Sequence, residues 1–183
     1  MSLEQEIAAA MEAAAGYADA GEELAGVIPA EPGHGARVFL CAFRRGDEQA
    51  WLALDSERRP VADRALVREA VSIAAMCELA EESAGGGDLG DLRARLVELR
   101  LTEAPEGIEE AELAAAELAE TIRPAPRLAS VGYLDEIGLA ATRLEQALGE
   151  VGGSPFAEAM KSGIPAAEEL ATAVLGSYKG PLS

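Results

Sequence analysis

Lysine occurs only at Lys161 and Lys179, histidine only at His34, and asparagine is absent from the 183 residues. With one histidine and no CxxC spacing, zinc has no ligand set. His34 lies in Pro32-Gly-His-Gly35, so it is expected to be a loop residue. Aromatics make up 4% of the chain. That implies an aliphatic, alanine-rich core, and with the net charge of −18, Trp51 and the phenylalanines read as core or interface residues and not as a base-stacking platform. Cys41 and Cys77 both sit in apolar surroundings, where cysteine behaves as a small buried hydrophobe. No apolar run approaches the length that crosses a bilayer. Met1-Ser-Leu-Glu-Gln-Glu-Ile7 carries acids where a secretory signal carries bases. The expectation is a cytoplasmic protein with no membrane association. The scarcity of lysine and asparagine, beside abundant Ala, Gly, Arg and Pro, fits a GC-rich bacterial coding sequence and carries no functional weight.

Positive charge is also short. The formal net charge is −18, which opposes binding to nucleic acid or to an anionic membrane surface. Its layout is uneven. Residues 37–68 hold seven arginines and five acids, a local +2, so the rest of the chain sums to −20. Glu103 to Glu120 contains seven glutamates and no base.

Against this helical, Glu- and Ala-rich background, one segment differs. Arg37-Val-Phe-Leu-Cys-Ala-Phe43 and Gln49-Ala-Trp-Leu-Ala-Leu-Asp55 are apolar runs flanking a polar loop with a glycine, the signature of a β-hairpin. A loop of Arg45 to Glu48 sets Phe43 opposite Ala50, Ala42 opposite Trp51 and Cys41 opposite Leu52. Both alternate sets of the first strand are apolar, so both faces need cover, from helices or from a second subunit. Val27-Ile28-Pro29 reads as an edge strand, because proline is tolerated there. The three strands form an antiparallel meander.

The remainder is helical. Leu3, Ile7, Ala10, Ala14 and Tyr17 line an N-terminal helix over residues 3–19, and Asp63 to Ala84 forms a central one, apolar nearly all round between Val71 and Ala80. Gly85-Gly-Gly87 breaks the chain, and Asp88 is the expected N-cap of a helix with Leu89, Leu92, Leu96 and Leu99 in heptad spacing. Val97 to Thr102 also alternates as a strand would. Ile108, Ala111, Ala115, Leu118 and Ile122 line one further helix; Leu134, Ile137, Ala141, Leu144, Leu148 and Val151 line the next. The prolines of Arg123-Pro-Ala-Pro-Arg127 fold these two into an antiparallel hairpin. Ser154-Pro155 starts a short helix, Gly163 stops it, and Pro165 opens a last one to Tyr178. The fold class is α+β: an N-terminal helix, a small meander with its hairpin at 37–55, then a predominantly helical bundle. One domain is expected over 1–183, with an α+β core at 1–101 and helices at 102–183.

Two clusters could carry chemistry. Glu78, Glu81 and Glu82 share one helix face near its C-terminal end, where the dipole disfavours negative charge, and oxygen ligands of this kind suit Mg²⁺. This ExxEE spacing resembles the magnesium-holding face of the all-helical nucleoside-triphosphate pyrophosphatases, over these few residues alone. That family completes its site with an ExxD-type element. The acids available here, Glu117 and Glu120, end in Glu and depart from it. Arg58, Arg59, Arg64 and Arg68 form the second cluster, before and within the first turns of the central helix, where guanidinium groups and a helix N-terminus can hold a phosphate or carboxylate. Alternatively, these arginines meet the acidic run. No GxSxG or activated nucleophile is present. The leading expectation is a non-catalytic protein acting through protein–protein contact as a homodimer. The rival is a small Mg-dependent hydrolase or an anion-binding protein.

Overall fold

The computed structural model describes residues 1–33, 36–84, 88–149 and 155–183. Its elements are α1 (Leu3–Ala15), β1 (Glu23–Glu31), β2 (Val38–Arg45), β3 (Glu48–Leu54), α2 (Arg64–Ser83), α3 (Asp88–Thr102), α4 (Ile108–Thr121), β4 (Ala129–Ser130), α5 (Val131–Ala147) and α6 (Pro155–Gly176). His34, the Gly85–Gly87 break, Val151 and the expected cap Ser154 lie outside the described residues.

The hairpin takes the register its sequence predicts, with Phe43 opposite Ala50, Ala42 opposite Trp51 and Cys41 opposite Leu52. Its loop is only Gly46-Asp47. Gly46 has φ 60° while Asp47 has no positive φ, the pattern of a type II′ turn that matches strand twist. β1 pairs antiparallel with β2 and completes the meander. It is not the edge expected. A two-residue β4 pairs parallel with its other side, giving the order β3-β2-β1-β4. Pro29 is tolerated because its only ladder partner is Phe39 on β2; pairing with β4 begins at Ala30.

Contacts divide the described chain into two compact units. The first takes Met1–Ala75, Ala125–Val131 and Pro165–Ser183; the second takes Met76–Pro124 and Gly132–Ile164. The segments interleave, so neither unit coincides with 1–101 or 102–183.

In the first unit, β2 is buried on both faces: Val38 and Leu40 on one, Phe39, Cys41 and Phe43 on the other. Ala10 and Ala14 of α1 pack with Phe39, Cys41, Phe43, Leu52 and Leu54. A capping box starts α1: Ser2 Oγ accepts from Gln5 N–H (3.2 Å) and Gln5 Oε1 accepts from Ser2 N–H (2.9 Å). On the other face Val38 and Leu40 are buried as well, as are Val67 and Ala70 of α2 and Ala171 and Val174 of α6 in the same unit. A single chain therefore buries the sheet, and no second subunit is needed for it.

The chain after α6 closes the outer edge of β3. Trp51 N–H donates to the Ser177 carbonyl (3.0 Å) and Lys179 N–H to the Trp51 carbonyl (2.8 Å). Val61 N–H donates to the Ala53 carbonyl (2.8 Å) further along the same edge. The Tyr178 hydroxyl donates to the Val61 carbonyl at 2.5 Å; burial raises its pKa. Lys179 Nζ reaches Glu22, Asp19 (3.2 Å) and the Tyr17 carbonyl (2.6 Å), and stands 4.3 Å from the centre of the Phe43 ring. The Lys179 ammonium, followed by the Asp19 backbone N–H, holds the Glu22 carboxyl below its ordinary range.

In the second unit, α3 continues to Thr102, so Val97 to Thr102 is helix and not strand. Leu89 and Leu96 are buried there, while Leu99 is exposed. α4 buries Ile108, Ala111, Ala115 and Leu118 as spaced, with Ala114 added. On α5 the seam begins at Tyr133 instead of Leu134. Arg123 explains the shift: its N–H donates to the Tyr133 hydroxyl (2.9 Å) and its guanidinium lies 5.2 Å from the ring centre. Ion pairs Arg123–Glu136 (2.9 Å) and Arg143–Glu117 (2.7 Å) set α4 and α5 antiparallel.

α6 is one helix from Pro155 to Gly176, unbroken at Gly163 and Pro165. Gly163 acts as a point of close approach, not a stop, because a Cβ there would lie 2.0 Å from Leu79 Cδ2. Pro165 forfeits one intrahelical bond, and burial of Phe156, Ala167 and Ala171 along the same helix holds it.

Two outcomes are expected. Gly163→Ala lowers stability by about 1 kcal/mol in urea unfolding, since overpacking of ~2 kcal/mol exceeds the ~1 kcal/mol gain in helix propensity. In a Leu79→Ala background the same change becomes stabilising; an unchanged sign would refute the close approach. For Glu22, the folded pKa lies below the unfolded one, so its contribution is complete above the ordinary glutamate range. It is lost as pH falls through the lowered folded value. Glu22→Gln therefore lowers the melting temperature near neutrality and flattens its decline in acid, and an unaltered acid limb would exclude this role.

Candidate functional site

The two predicted clusters fare differently in space. Glu78 and Glu82 are exposed and Glu81 is half-buried. Among the described residues, no group of three or more His, Cys, Asp or Glu is placed to hold a metal ion. The arginines separate. Arg59 pairs with Asp55 (3.4 Å) and with Glu57, so its charge is matched locally and not by the acidic run. Glu112 and Glu117 of that run are matched by Arg100 (2.8 Å) and Arg143. Arg64 and Arg68 are exposed and form no ion pair with a described residue. The helix end beside them is already occupied: Asp63 Oδ1 accepts from Ala65 N–H (2.9 Å) and Leu66 N–H (3.3 Å). A carboxylate capping those donors disfavours an anion there.

Arg58 lines a cleft. The cleft encloses about 480 Å³ beside Glu6, Glu31, Arg37, Phe39 and Asp55, all in the first unit. Arg37 was not among the candidates, although it opens the hairpin. Its guanidinium bonds Glu6 at 2.5 Å and Glu31 at 3.1 Å, and the Glu6 bond in particular raises its pKa. Arg37, Glu6 and Glu31 together carry −1. Arg58 borders the same cleft and has φ 64°, a left-handed backbone costing a non-glycine residue about 1–2 kcal/mol. Asp55 enforces it: its Oδ1 accepts from the N–H groups of Glu57 and Arg59, both at 2.9 Å. Arg58 makes no ion pair with a described residue. Ser56 also borders the cleft, and no described lining residue is a histidine or lysine that could activate it.

A second surface was missed. α3 has two apolar stripes. Leu89 and Leu96 are buried on one; Gly90, Ala94, Val97 and Leu101 are exposed on the other. Leu101 is 72% exposed and Val97 41%, and Leu113 on α4 is also 72% exposed. The stripe was legible as the spacing 90, 94, 97, 101, hidden behind the stronger leucine heptad beside it.

Comparison with protein-family models, with curated proteins and with solved structures finds no match. No helix among the described residues is long and apolar enough to cross a membrane.

Proposed function

We propose that this is a non-catalytic protein that acts through protein–protein contact, as a homodimer. The exposed outer stripe of α3 carries the reading. Apolar side chains at seam spacing stay in water only at a cost, and covering Val97 and Leu101 is worth about 1.5–3 kcal/mol for each side chain. Four such side chains per dimer, about 6–12 kcal/mol if fully covered, compete with an association cost of about 4–15 kcal/mol, so the stripe supports a weak, reversible dimer. The hairpin no longer supports dimerisation, since its own chain covers it. Cytoplasmic residence belongs to the same reading: Cys41 and Cys77 are buried and form no disulfide, and burial pushes the Cys41 thiol up to about 12, so Cys41 is inert packing. Light scattering over a concentration series is expected to show a monomer–dimer equilibrium. A monomer at every accessible concentration would refute the proposal.

A second reading rests on the cleft. Arg58 makes no ion pair with a described residue, is held by Asp55's turn beside a half-open cleft, and suits the carboxylate or phosphate of a small ligand. Millimolar phosphate should then raise the melting temperature of the wild type and not of Arg58→Gly. Equal shifts in both, or none, would remove the cleft as an anion site.

A further inference from the structure

We infer that two copies associate along the outer stripe of α3 with the two helices parallel. This rests on the homodimer reading and adds its surface and orientation. Gly90, Ala94, Val97 and Leu101 follow the 4-3-4 spacing of a coiled-coil seam, and all four are exposed. Leu89 and Leu96 anchor α3 in its own unit from an adjacent stripe, so the outer one is available without rearrangement.

The charges beside the stripe decide what covers it. Arg93 and Arg100 are seven residues apart and form one edge; Asp91 and Glu98 are seven apart and form the other. At 3.6 residues per turn the two edges lie on opposite sides of the seam. Arg100 is engaged with Glu112, whereas Asp91, Arg93 and Glu98 form no ion pair with a described residue. A partner must therefore bring an apolar seam with an acidic edge facing Arg93 and a basic edge facing Glu98. A second α3 does so, in one orientation only. A two-fold axis along the helices sets the basic edge of one copy against the acidic edge of the other, pairing Arg93 with Glu98 of the partner subunit, twice by symmetry. Antiparallel pairing sets arginine against arginine and acid against acid, which opposes association.

The test uses the full chain and sedimentation equilibrium. Arg93→Glu and Glu98→Arg should each weaken the dimer about tenfold, because attraction becomes repulsion at both symmetric pairs. The double exchange should restore it to near the wild-type value. Leu101→Cys should cross-link the two copies under mild oxidation, since parallel helices bring these positions together. Antiparallel helices centred on the stripe would hold them about 16 Å apart. All three positions are exposed, so unchanged thermal melts separate loss of pairing from loss of fold. A dimer that ignores the single exchanges, is not rescued by the double, or fails to cross-link overturns the parallel seam and leaves the homodimer standing. A wild-type monomer overturns both.

Discussion

Much of the first unit depends on one constraint: β2 has no polar face. Val38 and Leu40 on one side and Phe39, Cys41 and Phe43 on the other must leave water together, and its two edges are taken by β1 and β3. A strand closed on four sides leaves its neighbours little choice. α1 is alanine-rich where it meets the sheet, because Ala10 and Ala14 let the helix backbone sit close over Phe39 and Phe43. Pairs such as Cys41–Leu52 and Val27–Cys41 then fix the register, since a one-residue slip would exchange the two faces of each partner strand.

Charge is handled by local pairing. Arg59 is neutralised within four residues, Arg37 ties α1 to β1 through Glu6 and Glu31, and Lys179 is enclosed by Asp19, Glu22 and the Phe43 ring. With so few cations in a chain of net charge −18, those left uncommitted stand out. Arg58 and Arg93 are two of them. One lines the cleft beside Arg37, and the other flanks the exposed apolar stripe of α3.

The hairpin and most of the helices were legible because their signals are periodic and repeated over several turns or strand positions. Three features were not. β4 is two residues long and has no period to detect. Gly163 and Pro165 read as punctuation, yet local propensity yielded to packing against Leu79, which only the tertiary structure supplies. The arginine cluster was close in sequence but not in space: Asp63 took the helix end, Asp55 and Glu57 took Arg59, and Arg58 borders the cleft. Arg37, the residue that replaced its neighbours there, carries no local signal, because its partners lie 31 and 6 residues away.

The contact between Trp51 and the segment at Ser177–Lys179 joins positions about 125 residues apart. Loop closure over that distance comes late in folding. Until it forms, β3 presents Trp51 on an unpaired stretch of edge, able to template strand addition from another chain. The hairpin can assemble early and locally, so the most apolar strand pair of the protein exists for a time with one side open. Aggregation during folding, more than instability of the finished fold, is the hazard this arrangement carries. The half-buried Lys179, a charge set beside Phe43 on that same closing segment, joins the closure to formation of its ion pairs with Asp19 and Glu22.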